Sequence, residues 1–305
     1  MSFYPNTVDP RVKKLKERDT LVQKSKEWLQ ARKDCITASD VDSLIPYTEK
    51  SCKTYIKKFN IKNFNENSKK TCNPYQSSKQ FINKKSAPLD DGFTGNVHTE
   101  FGQQFEPVAA MIYRQMCKTD VFDFGLLVHP DIPWLGASPD GITSNARMLE
   151  IKCPTMREVT DVIPLHYYHQ ILLQLEVCQL DVCDFFDTNF LVYHFASEWF
   201  VDATVDFNTR DLSNVYHKFG LFVKVTRDDG SYHNIYPPVF FLEPIQFLEW
   251  GRLTCSENSG AEVVYYVLEK YHLISVDRDP DWLINNKDHM ERAWKEVLRL
   301  RKENL

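Results

Sequence analysis

Apolar positions in this chain recur at two spacings, helical and alternating, and the changes between them outline its elements. Residues 1–19 form a polar, partly helical lead-in. From Thr20 to Lys33 the spacing predicts a helix, with Leu21, Ser25, Trp28 and Leu29 on one face and Arg32 one turn beyond Trp28. Ser39 or Asp40 is suited to cap a short second helix through Leu44 and Ile45. Residues 46–95 carry few apolar positions after Phe64, so a helix around Tyr55–Phe59 and then a long mobile loop are expected. A helix over Thr99 to Met116 comes next, with Phe101, Phe105, Val108, Ala109, Ile112 and Tyr113 in register. Pro107 should kink this helix or confine its regular part to the residues beyond the proline.

Alternating runs come after it. Val121–Val128 and Trp134–Ala137 read as strands, the second leading into a Ser-Pro-Asp-Gly turn with Met148–Cys153 as its partner strand. On that partner, Leu149, Ile151 and Cys153 face one way and Glu150 and Lys152 the other. A helix is expected from Pro164 or Leu165 to Cys178, with Ile171, Leu175 and Cys178 on its apolar side and Tyr167, Gln170 and Gln174 opposite. Residues 184–195 and 199–205 suggest a hairpin, 212–225 a helix and 234–242 a further strand. Trp282 to Leu305 is amphipathic, with Met290, Trp294, Val297 and Leu298 as the stripe to be buried. No internal repeat is evident.

Composition narrows the class. With 305 residues and 43% hydrophobic content, the chain can bury a full core. No stretch approaches the roughly 18 consecutive apolar residues of a membrane-spanning helix, and the first residues lack the pattern of a secretory signal. The eight cysteines are scattered without zinc-ligand spacing, which suits a reduced intracellular compartment and no secretion. Net charge is −5 overall, yet residues 1–86 hold 19 Lys/Arg against 9 Asp/Glu. Between Lys50 and Lys85 there are ten lysines and one acid, Glu66. A basic arm beside an acidic remainder fits nucleic acid and a metal centre; a solvated Lys-rich surface is the plainer alternative.

The candidate chemistry lies between Gly136 and Pro154. Asp140 stands in the turn, and Glu150 and Lys152 come ten and twelve residues later on one strand face. Hydrolysing a phosphodiester at neutral pH needs an activated water and a sink for charge on the phosphate. Divalent metal held by carboxylates supplies both, and a neighbouring ammonium can stabilise the developing charge. Taken singly, Ser-Pro-Asp-Gly is an ordinary turn and Glu-Ile-Lys an ordinary exposed face. Pro-Asp, nine residues, then Glu-x-Lys is a far rarer combination. Arg32, Ser39 and a helix N-terminus could hold a phosphate, or Ser39 could simply cap its helix while Arg32 pairs with an acid.

Four groups of residues, in order, resemble the phage lambda exonuclease group of PD-(D/E)XK nucleases, the YqaJ viral recombinase family. They are Trp28-x-x-x-Arg32 with Ile36-Thr-Ala-Ser39; Gly102-x-x-x-Glu106-Pro107-x-Ala109 with Tyr113; Gly136-Ala-Ser-Pro-Asp140-Gly through Leu149-Glu150-Ile-Lys152-Cys-Pro154; and Tyr167-Tyr168-x-Gln170 with Gln174. Together they span about residues 25–180. Two departures stand out: Leu172 occupies a position where the family often has a second Gln, and the Lys-rich insertion between Ile45 and Gly95 is long.

The resemblance implies an α/β (α+β) fold with a PD-(D/E)XK restriction-endonuclease-like core, a central mixed sheet flanked by helices. The chain is read as one nuclease domain over residues 1–305, with 1–90 a basic helical part that includes the Lys-rich loop of about 46–95, and 91–305 the catalytic core and C-terminal helix. Asp140, Glu150, the Ile151 carbonyl and Glu106 are the implied ligands of one or two Mg²⁺ or Mn²⁺ ions, with Lys152 and Gln170 positioning or activating water. Arg32, Ser39 and Ser138 are the implied pocket for a DNA 5′-phosphate. The implied activity is metal-dependent 5′→3′ exonuclease action on double-stranded DNA ends in viral-type recombination, repair or replication. Alternatives are an alkaline nuclease acting on internal DNA sites or RNA, and a non-catalytic DNA-end-binding scaffold. A single-strand annealing protein and a ring-shaped homotrimer are implied partners, in the cytoplasm or nucleus of an infected host cell and away from membranes.

Overall fold

The computed structural model describes residues 7–18, 21–23, 25–88, 97–210, 216–238 and 243–303. In chain order the N-terminal part holds α1 (Pro10–Arg18), α2 (Lys26–Lys33), β1 (Ile36–Thr37), a 3₁₀ turn (Ala38–Ser43), β2 (Pro46–Tyr47), α3 (Lys53–Lys58), β3 (Asn67–Thr71) and α4 (Ser78–Ser86). The middle holds α5 (Val97–Cys117), β4 (Val121–Phe122), β5 (Leu127–Val128), β6 (Leu135–Ala137), β7 (Gly141–Thr143), β8 (Met148–Lys152) and α6 (Leu165–Cys178). The chain closes with β9 (Val182–Tyr193), α7 (Ala196–Thr209), β10 (Phe219–Thr226), β11 (Tyr232–Ile235), α8 (Pro244–Glu257), β12 (Ala261–Asp277) and α9 (Trp282–Glu303). No helix among the described residues is long and apolar enough to cross a membrane.

The mixed α/β architecture expected from the resemblance is the one observed. A seven-stranded sheet runs β11-β10-β12-β9-β8-β7-β4. Its β8–β9 pair is parallel and the others antiparallel. Helix α5 covers one face, placing Phe105, Val108, Ile112 and Tyr113 against Leu149, Ile151, Phe186 and Phe222. On the other face, Ile171, Leu172 and Leu175 of α6 pack with Met148, Phe185, Met290 and Trp294. Strand β8 is therefore buried on both sides, and Glu150 is fully buried rather than on an exposed face.

One pairing differs from expectation in a way that builds the site. The partner of β8 is β7, not Trp134–Ala137. Strand β6 belongs to a second sheet, β1-β6-β5. Pro139 offers no N–H to a ladder, so the chain leaves β6 at Ser138 and enters the large sheet at Gly141. Asp140 thus sits where the chain passes between the two sheets. Gly141 has little alternative there, because a Cβ would lie 2.3 Å from Val121 Cγ1 on β4.

Other expectations are corrected by tertiary packing. Lys26 begins α2, capped by Ser25, so Leu21 lies outside the helix; Thr20 and Lys24 are outside the described residues. The Lys-rich stretch is not a loop through residue 88: Ser77 and Gln80 form a capping box for α4, which buries Phe81. Residues 89–95 lie outside the described residues, as do 1–6 and 19 of the lead-in. Residues 199–205 are helical, because Trp199 and Ala203 meet Leu221 and Phe247 at i, i+4 spacing. Residues 219–225, expected to be helical, form β10; 212–215 and 239–242 fall outside the described residues. Helix α5 continues through Pro107, and on α9 Leu298 is exposed while Trp282 and Ala293 join Met290, Trp294 and Val297 inside.

Candidate active site

Glu150 is the most enclosed acid of the expected group. Lys152 Nζ pairs with its Oε1. Gln170 Nε2 donates to Oε1 at 2.7 Å and Gln174 Nε2 to Oε2 at 2.8 Å. The two amides stand at i, i+4 on α6, one above the other. The sequence motif includes Gln174 without assigning it a role; its helical spacing from Gln170 is the signal that could have done so. Leu172, between them in sequence, faces the apolar core instead.

Asp140 reaches the same strand through its backbone, with Oδ2 accepting the Ile151 N–H at 2.7 Å. Burial pushes its pKa well above the ordinary 3.8, and the negative charges of Glu150 and Glu106 push it further. Lys152 and the Ile151 N–H oppose that rise incompletely. Lys152 itself is half-buried, and desolvation disfavours its charge, yet Glu150 and Asp140 outweigh that effect and raise its pKa. Its Nζ lies 4.9 Å from the centroid of the Tyr167 ring. Glu106 enters from α5 and lines, with Asp140, Asp123, Phe124 and residues 21–23, an open cleft of ≈ 430 Å³.

Around Asp140 the negative charges of Glu150 and Glu106 outweigh the positive charge of Lys152 and add to the rise that desolvation causes. Oxygen donors under such repulsion suit a hard divalent cation such as Mg²⁺ or Mn²⁺. Asp140, Glu150 and Glu106 are the side chains that would hold it.

The second expected site lies two residues upstream of Asp140. Arg32 Nη2 donates to Ser39 Oγ at 3.0 Å and to Thr37 Oγ1 at 3.4 Å, and Nη1 to Ser138 Oγ at 3.4 Å. Trp28 stacks on the guanidinium at 4.5 Å and donates its indole N–H to Ser138 Oγ at 3.2 Å. Among the described residues, no carboxylate lies within ion-pair distance of Arg32, which sets aside its pairing with an acid. Burial lowers the Arg32 pKa, and the charge of nearby Asp40 opposes the shift without cancelling it.

Neither Ser39 nor Asp40 is the cap that was expected. Thr37 caps the 3₁₀ turn, and Asp40 Oδ2 accepts its N–H at 3.1 Å and its hydroxyl at 2.6 Å. That frees the Ser39 hydroxyl to face Arg32.

A neighbouring pair has no counterpart among the sequence expectations. Arg157 binds the fully buried Asp187 through two contacts of 2.6 Å and stands 5.7 Å from the Tyr167 ring. Asp187 is the β9 residue in register with Lys152, a relation only the parallel pairing reveals.

The chain is similar to known proteins in sequence and, more distantly, in structure. Residues 27–181 match the family described as "YqaJ-like viral recombinase domain". The chain is similar to an uncharacterized protein, R354, of Acanthamoeba polyphaga mimivirus, at 28% identity over 193 residues. That match spans 57% of this chain and only 30% of the relative's length. Among solved structures it is similar to an alkaline exonuclease (LHK-Exo) from Laribacter hongkongensis, with TM-score 0.48 and 16% identity over 92% of this chain and 95% of that one. A phage related exonuclease from Haemophilus somnus 129PT gives TM-score 0.47 and 10% identity over 89% and 96% of the two chains.

Proposed function

Because the chain belongs to the YqaJ-like viral recombinase family, we propose that it is a divalent-metal-dependent exonuclease that degrades double-stranded DNA from its 5′ ends. The observation that carries this reading is the nearness of Glu106, Glu150 and Lys152 to Asp140, two residues along the chain from the Ser138 hydroxyl that Arg32 meets. An ion held by the acids would, when bound, lower the pKa of water and offset the charge developing on the phosphate.

The chain's own groups do the rest. The Gln170 and Gln174 amides fix the Glu150 carboxylate, so its orientation need not be found anew in each turnover. The charged Lys152 ammonium stands beside both acids, placed to stabilise an attacking water or the departing charge. Arg32, with Ser39 and Ser138, offers a charged fork and hydroxyls of the kind a terminal phosphate takes. Anchoring the 5′-phosphate there sets the scissile bond relative to the acids, which is how end recognition becomes polarity. The remaining 3′ strand suits a single-strand annealing partner, and the relative encoded by a virus fits a recombination role.

The test is digestion of linear duplexes with 5′-phosphate or 5′-hydroxyl ends beside closed circular duplex and structured RNA, all with Mg²⁺. Preferential loss of the 5′-phosphorylated linear duplex is expected. Equal cutting of closed circles or RNA would favour an alkaline nuclease acting at internal sites, and salt-sensitive end binding without cleavage would leave only a scaffold.

A further inference from the structure

Two cysteines 20 residues apart in sequence meet where the Lys-rich segment packs on the body of the protein. Cys52, just before α3, is buried, and Cys72, just after β3, is half-buried. Their sulfurs stand 4.0 Å apart, well beyond the roughly 2.05 Å of a disulfide. A ring nitrogen of His169 lies within 4.8 Å of both. His169 is on α6, immediately before Gln170.

The hydrogen bonding of His169 decides what this group can be. Its Nδ1 accepts the Trp282 indole N–H at 2.9 Å. An accepting ring nitrogen carries no proton, so the neutral ring bears its proton on Nε2. Nε2 is buried and has no hydrogen-bond partner. With Nδ1 occupied and Nε2 protonated, the ring has no lone pair for a metal ion, which counts against a zinc site. What this ring lacks is an acceptor, and thiolate sulfur is the nearby group that can become one.

We propose that Cys52 and Cys72 form a reversible thiol-oxidation site, with Cys52 the nucleophilic thiolate held by His169 and Cys72 the resolving thiol. Trp282 fixes the tautomer, His169 favours the thiolate, and half-exposed Cys72 opens the pair to a small oxidant. The electrostatics agree. The hydrogen bond from Cys72 draws the Cys52 pKa down to about 5 against its burial, with His169 adding to the effect, while Cys72 shifts upward. The pair is asymmetric, as attacking and resolving thiols must be.

With hydrogen peroxide as oxidant, the Cys52 sulfur attacks one peroxide oxygen. The O–O bond breaks, and the departing hydroxide takes a proton to become water. Cys52 is now a sulfenic acid. The Cys72 sulfur then attacks that sulfur, an S–S bond forms, and the sulfenic oxygen leaves with the Cys72 proton as a second water. Two thiols have become one disulfide and one peroxide two waters; a dithiol reverses this by exchange. Tyr55 of α3 and Phe59, which caps its C-terminus, pack 5.4 Å and 6.0 Å from the ring of Tyr168 on α6. The bond would therefore fasten the Lys-rich segment beside the helix that carries Gln170 and Gln174.

The experiment exposes the full-length protein to hydrogen peroxide and quenches timed samples by alkylation under denaturing conditions. Peptide mass mapping then locates each product. A Cys52–Cys72 linked pair is expected first, ahead of any product at the exposed Cys117, and dithiothreitol should restore both thiols. His169→Gln should slow linkage by about tenfold or more and move the pH midpoint of the rate upward, toward that of an ordinary thiol. A purely structural role for His169 would leave that midpoint in place. Oxidation at Cys117 while Cys52 and Cys72 remain thiols would overturn the proposal. So would one zinc per purified chain that is lost in Cys52→Ser.

Discussion

Asp140 shows how much one residue's surroundings decide. A turn aspartate would ordinarily be ionised and hydrated; here it is half-buried near Glu150 and Glu106, and desolvation and those charges both raise its pKa. A carboxyl whose folded pKa is raised supports the fold fully below its unfolded value near 3.8 and loses that support as pH climbs through the folded value. Without metal, stability should therefore fall as pH rises from the acid side towards neutrality. Asp140→Asn keeps an acceptor for the Ile151 N–H and removes the charge. It should raise the metal-free melting temperature at pH 7 by a few degrees, about 2–4 °C per kcal/mol in a chain of this size. Adding Mg²⁺ should stabilise the wild type more than Asp140→Asn, since binding adds stability only where the ion binds. Thermal unfolding with and without EDTA checks both.

Arg32 is the other residue whose surroundings speak for a ligand. Arg32→Gln should reduce the preference for 5′-phosphate over 5′-hydroxyl ends by roughly 10- to 100-fold, the range of a charge-assisted hydrogen bond. The effect should fall mainly on KM. At this scale the sequence is informative where the chemistry is local. Asp140, Glu150 and Lys152 lie within thirteen residues, and a hairpin brings such neighbours together. It is silent on Arg157 and Asp187, whose contact depends on a parallel strand pairing, and it points to Ser39 or Asp40 for a capping role that Thr37 fills.

Among the elements, α4 is the clearest case of tertiary packing overriding composition. Its lysines, serines and lone asparagine suggest a loop, yet Phe81 and Lys85 share one buried face. Lys85 Nζ pairs with Asp40 at 2.8 Å and donates to the carbonyls of Arg32 and Cys35 at 2.7 and 2.8 Å. This lysine fastens α4 to the segment that presents Arg32 and Ser39. Lys85→Met would leave Asp40 buried without its cation, a loss of about 3–5 kcal/mol by the usual cost of breaking a buried pair. Denaturant unfolding should show it as a lower midpoint, and the 5′-phosphate preference should weaken as well. The capping box at Ser77 and Gln80 is a legible signal for this helix. Helix α7 carries no comparable signal: its Trp, Phe and Val content favours a strand, and only docking on Leu221 and Phe247 makes it helical.

For the whole molecule, charge is divided by purpose. Residues 1–86 carry most of the excess lysine and arginine, while the acids concentrate in the remainder and at the cleft. Such a division predicts DNA affinity that falls steeply with salt while cleavage at saturating DNA changes little, because phosphate contacts release counterions, whereas Glu150 is fully buried and the half-buried Asp140 and Glu106 are less screened than a surface charge. Binding and turnover measured over a salt series would test that separation.

The proposed metal-assisted attack from a 5′ end would join the acidic cleft to the Arg32 pocket in one reaction. The direct measurement is a time course on linear duplex carrying a label at either the 5′ or the 3′ terminus, run with Mg²⁺, with EDTA, and with Asp140→Asn. Early release of the 5′ label as mononucleotide, late release of the 3′ label, and no release in EDTA or with the variant is the predicted result. Degradation that persists in EDTA, or a 3′ label released first, would contradict it.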